Sequence, residues 1–146
     1  MRGYCKRILK LVDEHLLPNV KSIEAKVFYL KMRGDYNRYL CEFGDNNQCV
    51  ESARSSYEEA DNLARNNLAS TNPIRLGLHL NISVYYYEIL NKHERAIELA
   101  NRAFEDAIAN IDNVNEENYK DCTTIMQLLR DNITLWSSEH QDDSYQ

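Results

Sequence analysis

Apolar residues return every three or four positions along almost the whole chain, the spacing of helices that bury one face. Tyr4, Ile8, Leu11, Val12 and Leu16 open the pattern, and Pro18 holds the residue before it out of helical geometry, so the first helix is expected to end near Leu17. That run is already in stride at Tyr4 with no capping residue ahead of it, and the chain reads as starting inside a helix. Ser22 caps a second helix carrying Ile23, Val27, Leu30, Leu40 and Cys41, with a stop expected at Gly44 in the turn Gly44-Asp45-Asn46-Asn47. A third helix over residues 48–68 rests on Val50, Ala53, Tyr57, Ala60 and Ala64, a seam of small residues suited to close packing against a neighbour.

Asn72 followed by Pro73 gives an N-cap and a first-turn proline. The helix they open is apolar nearly all round, through Ile74, Leu76, Leu78, Leu80, Ile82, Val84, Tyr85 and Leu90, and is expected to be central and buried. Ala96, Ile97, Ala100, Ala103, Phe104, Ala107, Ile108 and Ile111 mark a fifth helix. Asn115 with Glu116 and Glu117 opens a sixth on Tyr119, Cys122, Met126, Leu129, Ile133 and Trp136. The pattern predicts an all-α fold, a bundle of about six antiparallel helices, with residues 1–137 as one domain and 138–146 as a disordered acidic and polar tail. No 34-residue self-similarity supports a tetratricopeptide array.

Composition agrees: 43% apolar and 27% charged residues, with four Gly and two Pro among 146, suit long helices around one core. The net charge of −6 is uneven, since residues 1–40 hold nine Lys/Arg against four Asp/Glu and the remainder eight against nineteen. A global acid excess argues against nucleic acid as a partner, while a local basic patch still suits one phosphate. Cys5, Cys41, Cys49 and Cys122 lack metal-ligand spacing, so neither a metal site nor another cofactor is expected. No apolar run approaches the ~18 residues of a membrane span and no leader is recognisable, so a cytoplasmic protein without membrane contact is expected. The sequons at Asn81 and Asn132 fall inside predicted helices and read as accidental. With His15, His79, His93 and His140 scattered and no nucleophile–base pair or phosphate-cradling glycine loop, an enzyme is not expected.

The second helix carries the clearest chemistry. Lys31 and Arg38 are seven residues apart, which at about 100° per residue puts them within roughly 20° on one face. Tyr39 lies beside Arg38, and a guanidinium fork with a phenol suits a phosphate dianion. Solvated charge is the commoner fate of an isolated Lys/Arg pair, and spacing alone does not separate the two readings. Two further stripes set an amide among apolar residues: Leu80, Asn81, Val84 and Glu88 on the fourth helix, and Leu128, Asn132, Leu135 and Trp136 on the sixth. An Asn can bond an extended peptide's main chain through both its N–H and its C=O while Leu, Val and Trp cover the peptide's side chains. The same spacing also fits core positions with two tolerated Asn.

The run Lys26-Val27-Phe28-Tyr29-Leu30-Lys31-Met32-Arg33-Gly34-Asp35-Tyr36-Asn37-Arg38-Tyr39-Leu40 resembles the signature of the 14-3-3 proteins. Asn72-Pro73-Ile74-Arg75-Leu76-Gly77-Leu78 with Ser83-Val84-Tyr85-Tyr86-Tyr87-Glu88-Ile89-Leu90-Asn91 is similar to that family's central helix, and Gln127-Leu128-Leu129-Arg130-Asp131-Asn132-Ile133-Thr134-Leu135-Trp136 to its last. The resemblance covers nearly the whole chain. It implies an adaptor that binds phosphoserine or phosphothreonine segments of client proteins in an amphipathic groove, a mode in which Arg clusters hold the phosphate. By the resemblance Arg38 and Tyr39 match phosphate-holding positions, and Lys31 lines the groove. Asn81 and Asn132 match the backbone-clasping amides, with Glu88 a groove carboxylate. Leu80, Val84, Leu128, Leu135 and Trp136 match the apolar wall. The charged and amide stripes are therefore expected to converge on one groove.

Departures from the family pattern temper these expectations. Members have further amino-terminal helices that form the dimer interface and add a Lys and an Arg to the phosphate pocket. This sequence is expected to start after them, inside the family's fourth helix, so a family-type homodimer is not expected. The loop after Glu42 is shorter, and Asn37, His79 and Ile82 replace the expected residues. A second reading therefore stands beside the adaptor: a truncated paralogue or fragment with weak or no phosphopeptide binding, acting through other protein contacts.

Overall fold

The computed structural model describes residues 2–43 and 47–144. Among the described residues six α-helices follow one another: α1 (Arg2–Leu11), α2 (Ile23–Cys41), α3 (Asn47–Asn67), α4 (Pro73–Glu88), α5 (His93–Ala109) and α6 (Glu116–Ser144). Among the described residues there is no strand, and the all-α expectation holds. The chain forms two compact units, Met1–Leu68 and Ala69–Gln146.

In the first unit, α1 widens into a π-helical turn, Val12–Leu16, closed by the Leu17 N–H donating to the Val12 carbonyl at 2.9 Å. Pro18, which has no N–H, then ends it where the sequence predicts. The Ser22 hydroxyl caps α2 by accepting from the Ala25 N–H at 3.1 Å. The turn expected at Gly44-Asp45-Asn46 lies outside the described residues. Ala53, Tyr57, Ala60 and Ala64 bury the predicted small-residue seam of α3, whose main neighbour is α2. Gly34 permits the approach, because a Cβ there would sit 2.5 Å from Tyr57 Cε1 and 2.7 Å from Cδ1. Arg33 ties three segments together: its Nε donates to Ser56 Oγ at 2.8 Å, and its two terminal nitrogens lie 3.4 Å from Asp13 and Glu59.

In the second unit α4, α5 and α6 pack on one another. The Asn72 side chain accepts from the N–H groups of Ile74 and Arg75 at 2.9 and 3.2 Å ahead of Pro73, so both halves of the predicted start are present. Leu76 joins Ala96, Ala100, Ala103 and Ala107 of α5 and Cys122, Met126, Leu129 and Trp136 of α6 in one core. Leu78, Ile82 and Tyr85, on the opposite side of α4, are buried as well, in keeping with its all-round apolar pattern. After α4 the chain turns at Asn91 in left-handed conformation (φ 56°), with the Lys92 N–H donating back to the Tyr86 carbonyl at 2.9 Å. The sixth helix runs without a break from Glu116 through Ser144. No Gly or Pro interrupts residues 116–146, so nothing local stops it.

Candidate functional site

All three residues expected to grip phosphate belong to α2, where Lys31 and Arg38 meet on a fourth, Asp35, and Tyr39 lies against Arg38. Lys31 donates to Asp35 Oδ2 at 2.9 Å, one helical turn away. Arg38 lies on the other side, with a terminal nitrogen 3.7 Å from Asp35 Oδ1. Its Nε donates to the Tyr57 hydroxyl at 3.3 Å, and that hydroxyl donates to Asp35 Oδ1 at 2.5 Å. The guanidinium stands 5.0 Å above the centre of the Tyr39 ring, and Tyr39 is braced edge-on by Tyr36 at 5.3 Å. Tyr39 therefore uses its ring face to support Arg38, beyond the hydroxyl role read from the sequence.

Arg38 is only 7% exposed, so the solvated-charge reading fails for it. Burial works against its charge, yet Tyr57, Asp35 and Tyr39 more than offset this and raise its pKa. Burial and then the Asp35 carboxylate push the Tyr57 phenol far above its ordinary range, so it remains a donor. The cluster counts two cations and one carboxylate, a net charge of +1 held in partly desolvated surroundings. It can host an anion that outbids Asp35.

Sequence reasoning missed Asp35 and Tyr57. The first was legible as the partner four residues after Lys31 and three before Arg38. The second was read only as a seam residue of α3, since no spacing rule tells which neighbouring helix its hydroxyl reaches.

The amide-and-apolar stripes lie on α4 and α6 of the second unit, two helices in contact. Leu80, Asn81 and Val84 are half-buried and Glu88 is exposed. Leu80 and Val84 lean on the core, and Asn81 is engaged by neighbouring groups. Along α6, Leu128 and Leu135 are 47% and 54% exposed, and half-buried Asn132 sits between them on the same face. Two exposed leucines flanking an amide make a surface that an extended peptide could cover. Trp136, expected on that wall, instead lies in the core at 5% exposure, its ring stacked on Tyr87 at 4.5 Å. Tyr87 stacks in turn on His93 at 4.2 Å, and its hydroxyl donates to Glu139 at 2.5 Å. For Trp136 the core alternative is the right one. Among the described residues no group of three His, Cys, Asp or Glu is placed to hold a metal, and no helix is long and apolar enough to cross a membrane.

Comparison with known proteins places these residues in a family. The family model described as "14-3-3 protein" matches residues 1–137. A 14-3-3-like protein of Oenothera elata subsp. hookeri is 57% identical over 98% of this chain and 56% of its own length. The 14-3-3 protein 2 of Solanum lycopersicum is 56% identical over 95% and 56%. Human 14-3-3 protein beta/alpha is 54% identical over 98% and 59%. The chain thus spans somewhat more than half the length of these relatives, and by the family model's match over residues 1–137 it belongs to the 14-3-3 family.

Proposed function

We propose that the chain is a non-enzymatic regulatory adaptor of the cytoplasm that binds phosphoserine- or phosphothreonine-bearing segments of client proteins. Lys31, Arg38 and Tyr39 hold the phosphate, Asn81, Asn132 and Glu88 engage the segment's main chain, and Leu80, Val84, Leu128 and Leu135 cover its side chains, with Trp136 behind them. The observation that supports this reading is that Lys31 and Arg38 flank one carboxylate, Asp35, with the Tyr39 ring set against the Arg38 guanidinium. A phosphate, with close to two charges and three acceptor oxygens, is a stronger partner than that monoanion.

The reading is tested by fluorescence polarisation with one peptide in phosphorylated and unphosphorylated forms. Charged hydrogen bonds contribute about 1.5–3 kcal/mol each, so the phosphorylated form should bind at least tenfold more tightly and Arg38→Ala should erase most of that margin. Equal binding of the two peptides by the unaltered chain would favour the second reading, a family member acting through other protein contacts.

A further inference from the structure

Phosphate gripping by Lys31 and Arg38 needs those side chains free to turn to a ligand yet fixed in direction, and Asp35 and Tyr57 bear on both requirements. Asp35 sits between the two cations, 2.9 Å from Lys31 and 3.7 Å from Arg38, and is itself only 6% exposed. Tyr57, 3% exposed on α3, spans Asp35 and Arg38 with a single hydroxyl: it has one proton, given to Asp35, and a lone pair that receives Arg38 Nε. The ring behind that hydroxyl cannot drift, because it is packed against Gly34 in the close α2–α3 contact. Nε is thereby occupied from within the protein, while the Tyr39 ring lies beneath the guanidinium plane.

We propose that Tyr57 is a positioning residue and Asp35 a specificity residue of the anion site: Tyr57 fixes the guanidinium of Arg38, and Asp35 is a built-in competitor that any ligand must displace from Lys31 and Arg38. This rests on the phosphate-binding reading above and adds a partition to it. A ligand carrying one charge only exchanges for Asp35, whereas a phosphate dianion brings more charge and more acceptors than the carboxylate it replaces. Discrimination in favour of phosphate is then a property of four residues, two of which never touch the ligand's phosphorus-bound oxygens.

Two variants of the full chain separate the roles. Tyr57→Phe keeps the ring and removes the hydroxyl. It should weaken phosphopeptide binding about tenfold, by loss of a charge-assisted contact to Arg38, and weaken the unphosphorylated peptide much less. Asp35→Asn keeps the acceptor for Tyr57 and removes the charge; it should tighten phosphopeptide binding about threefold and narrow the margin over a glutamate-substituted peptide. A structural role alone would weaken both peptides in parallel. Nitrogen-detected NMR of the Arg38 Nε–H adds a ligand-free readout: its proton should exchange with water faster in Tyr57→Phe than in the unaltered chain. An unchanged Arg38 exchange rate, or an unchanged phosphopeptide preference in Tyr57→Phe, overturns the positioning role, and unchanged or weaker phosphopeptide binding in Asp35→Asn overturns the competitor role. If the unaltered chain prefers phosphate and the variants behave otherwise, only this inference fails; if the unaltered chain shows no preference, the phosphate-binding reading fails first.

Discussion

Replacing Gly34 by alanine sets two effects of opposite sign against each other. A glycine inside a helix costs about 1 kcal/mol relative to alanine, so the change should stabilise α2 on backbone grounds alone. The new Cβ, however, would fall 2.5, 2.7 and 2.9 Å from three ring atoms of Tyr57. That ring is 3% exposed, and its hydroxyl is held by Asp35 and Arg38, so it cannot step aside without breaking both bonds. Overpacking of this kind costs about 1–3 kcal/mol. The clash should win, giving a net destabilisation of up to about 2 kcal/mol and a thermal midpoint lower by as much as roughly 8 °C. Urea unfolding followed by far-UV circular dichroism measures it, and a double-mutant cycle isolates the cause. In a Tyr57→Leu background, where a shorter and flexible side chain replaces the ring, Gly34→Ala should become neutral or stabilising. A stabilising Gly34→Ala in the unaltered chain, or the same effect in both backgrounds, would refute the close approach of α2 and α3.

Other outcomes follow from the same structure. Asn72→Ala removes the acceptor of two N–H groups at the start of α4 and should cost about 1 kcal/mol in urea unfolding, with Asn72→Asp costing much less. Leu129→Ala, at a fully buried site in the core of the second unit, should cost about 2–5 kcal/mol by the same assay. Burial and then the adjacent Cys49 thiol push the Cys41 thiol up to about 11, so at pH 8.5 its thiolate fraction is roughly a hundredfold below that of an ordinary cysteine. Iodoacetamide should therefore label Cys41 far more slowly in the folded chain than in urea, a difference read by peptide mass spectrometry.

Much of the fold was legible because it rests on local rules. Ser22 and Asn72 announce helix starts through side-chain caps, Pro18 announces a stop, and the Ala53-Tyr57-Ala60-Ala64 seam states which side of α3 goes inward. What escaped depends on which side chain meets which across helices. The periodicity that put Trp136 beside Asn132 could not say that its ring would stack on Tyr87 inside the core. The π-helical turn at Val12–Leu16 has no sequence signature beyond the proline after it. The far end of α6, Ser144, is not marked by any local signal, since no helix-breaking residue stands after residue 137. Of the charged cluster on α2, the cations were readable from their seven-residue spacing, whereas Tyr57 reaches Arg38 from another helix, nineteen residues away in sequence.

The central claim, that Arg38 reads the phosphate while Asn132 reads the peptide that carries it, is tested most directly by calorimetric titration of matched phosphorylated and unphosphorylated peptides into three proteins: the unaltered chain, Arg38→Ala and Asn132→Ala. The account predicts that the unaltered chain prefers the phosphopeptide by tenfold or more. Arg38→Ala should lose most of that preference, and Asn132→Ala should weaken both peptides by a similar factor while keeping it. Equal affinity of the unaltered chain for the two peptides, or a preference that survives Arg38→Ala, would contradict it.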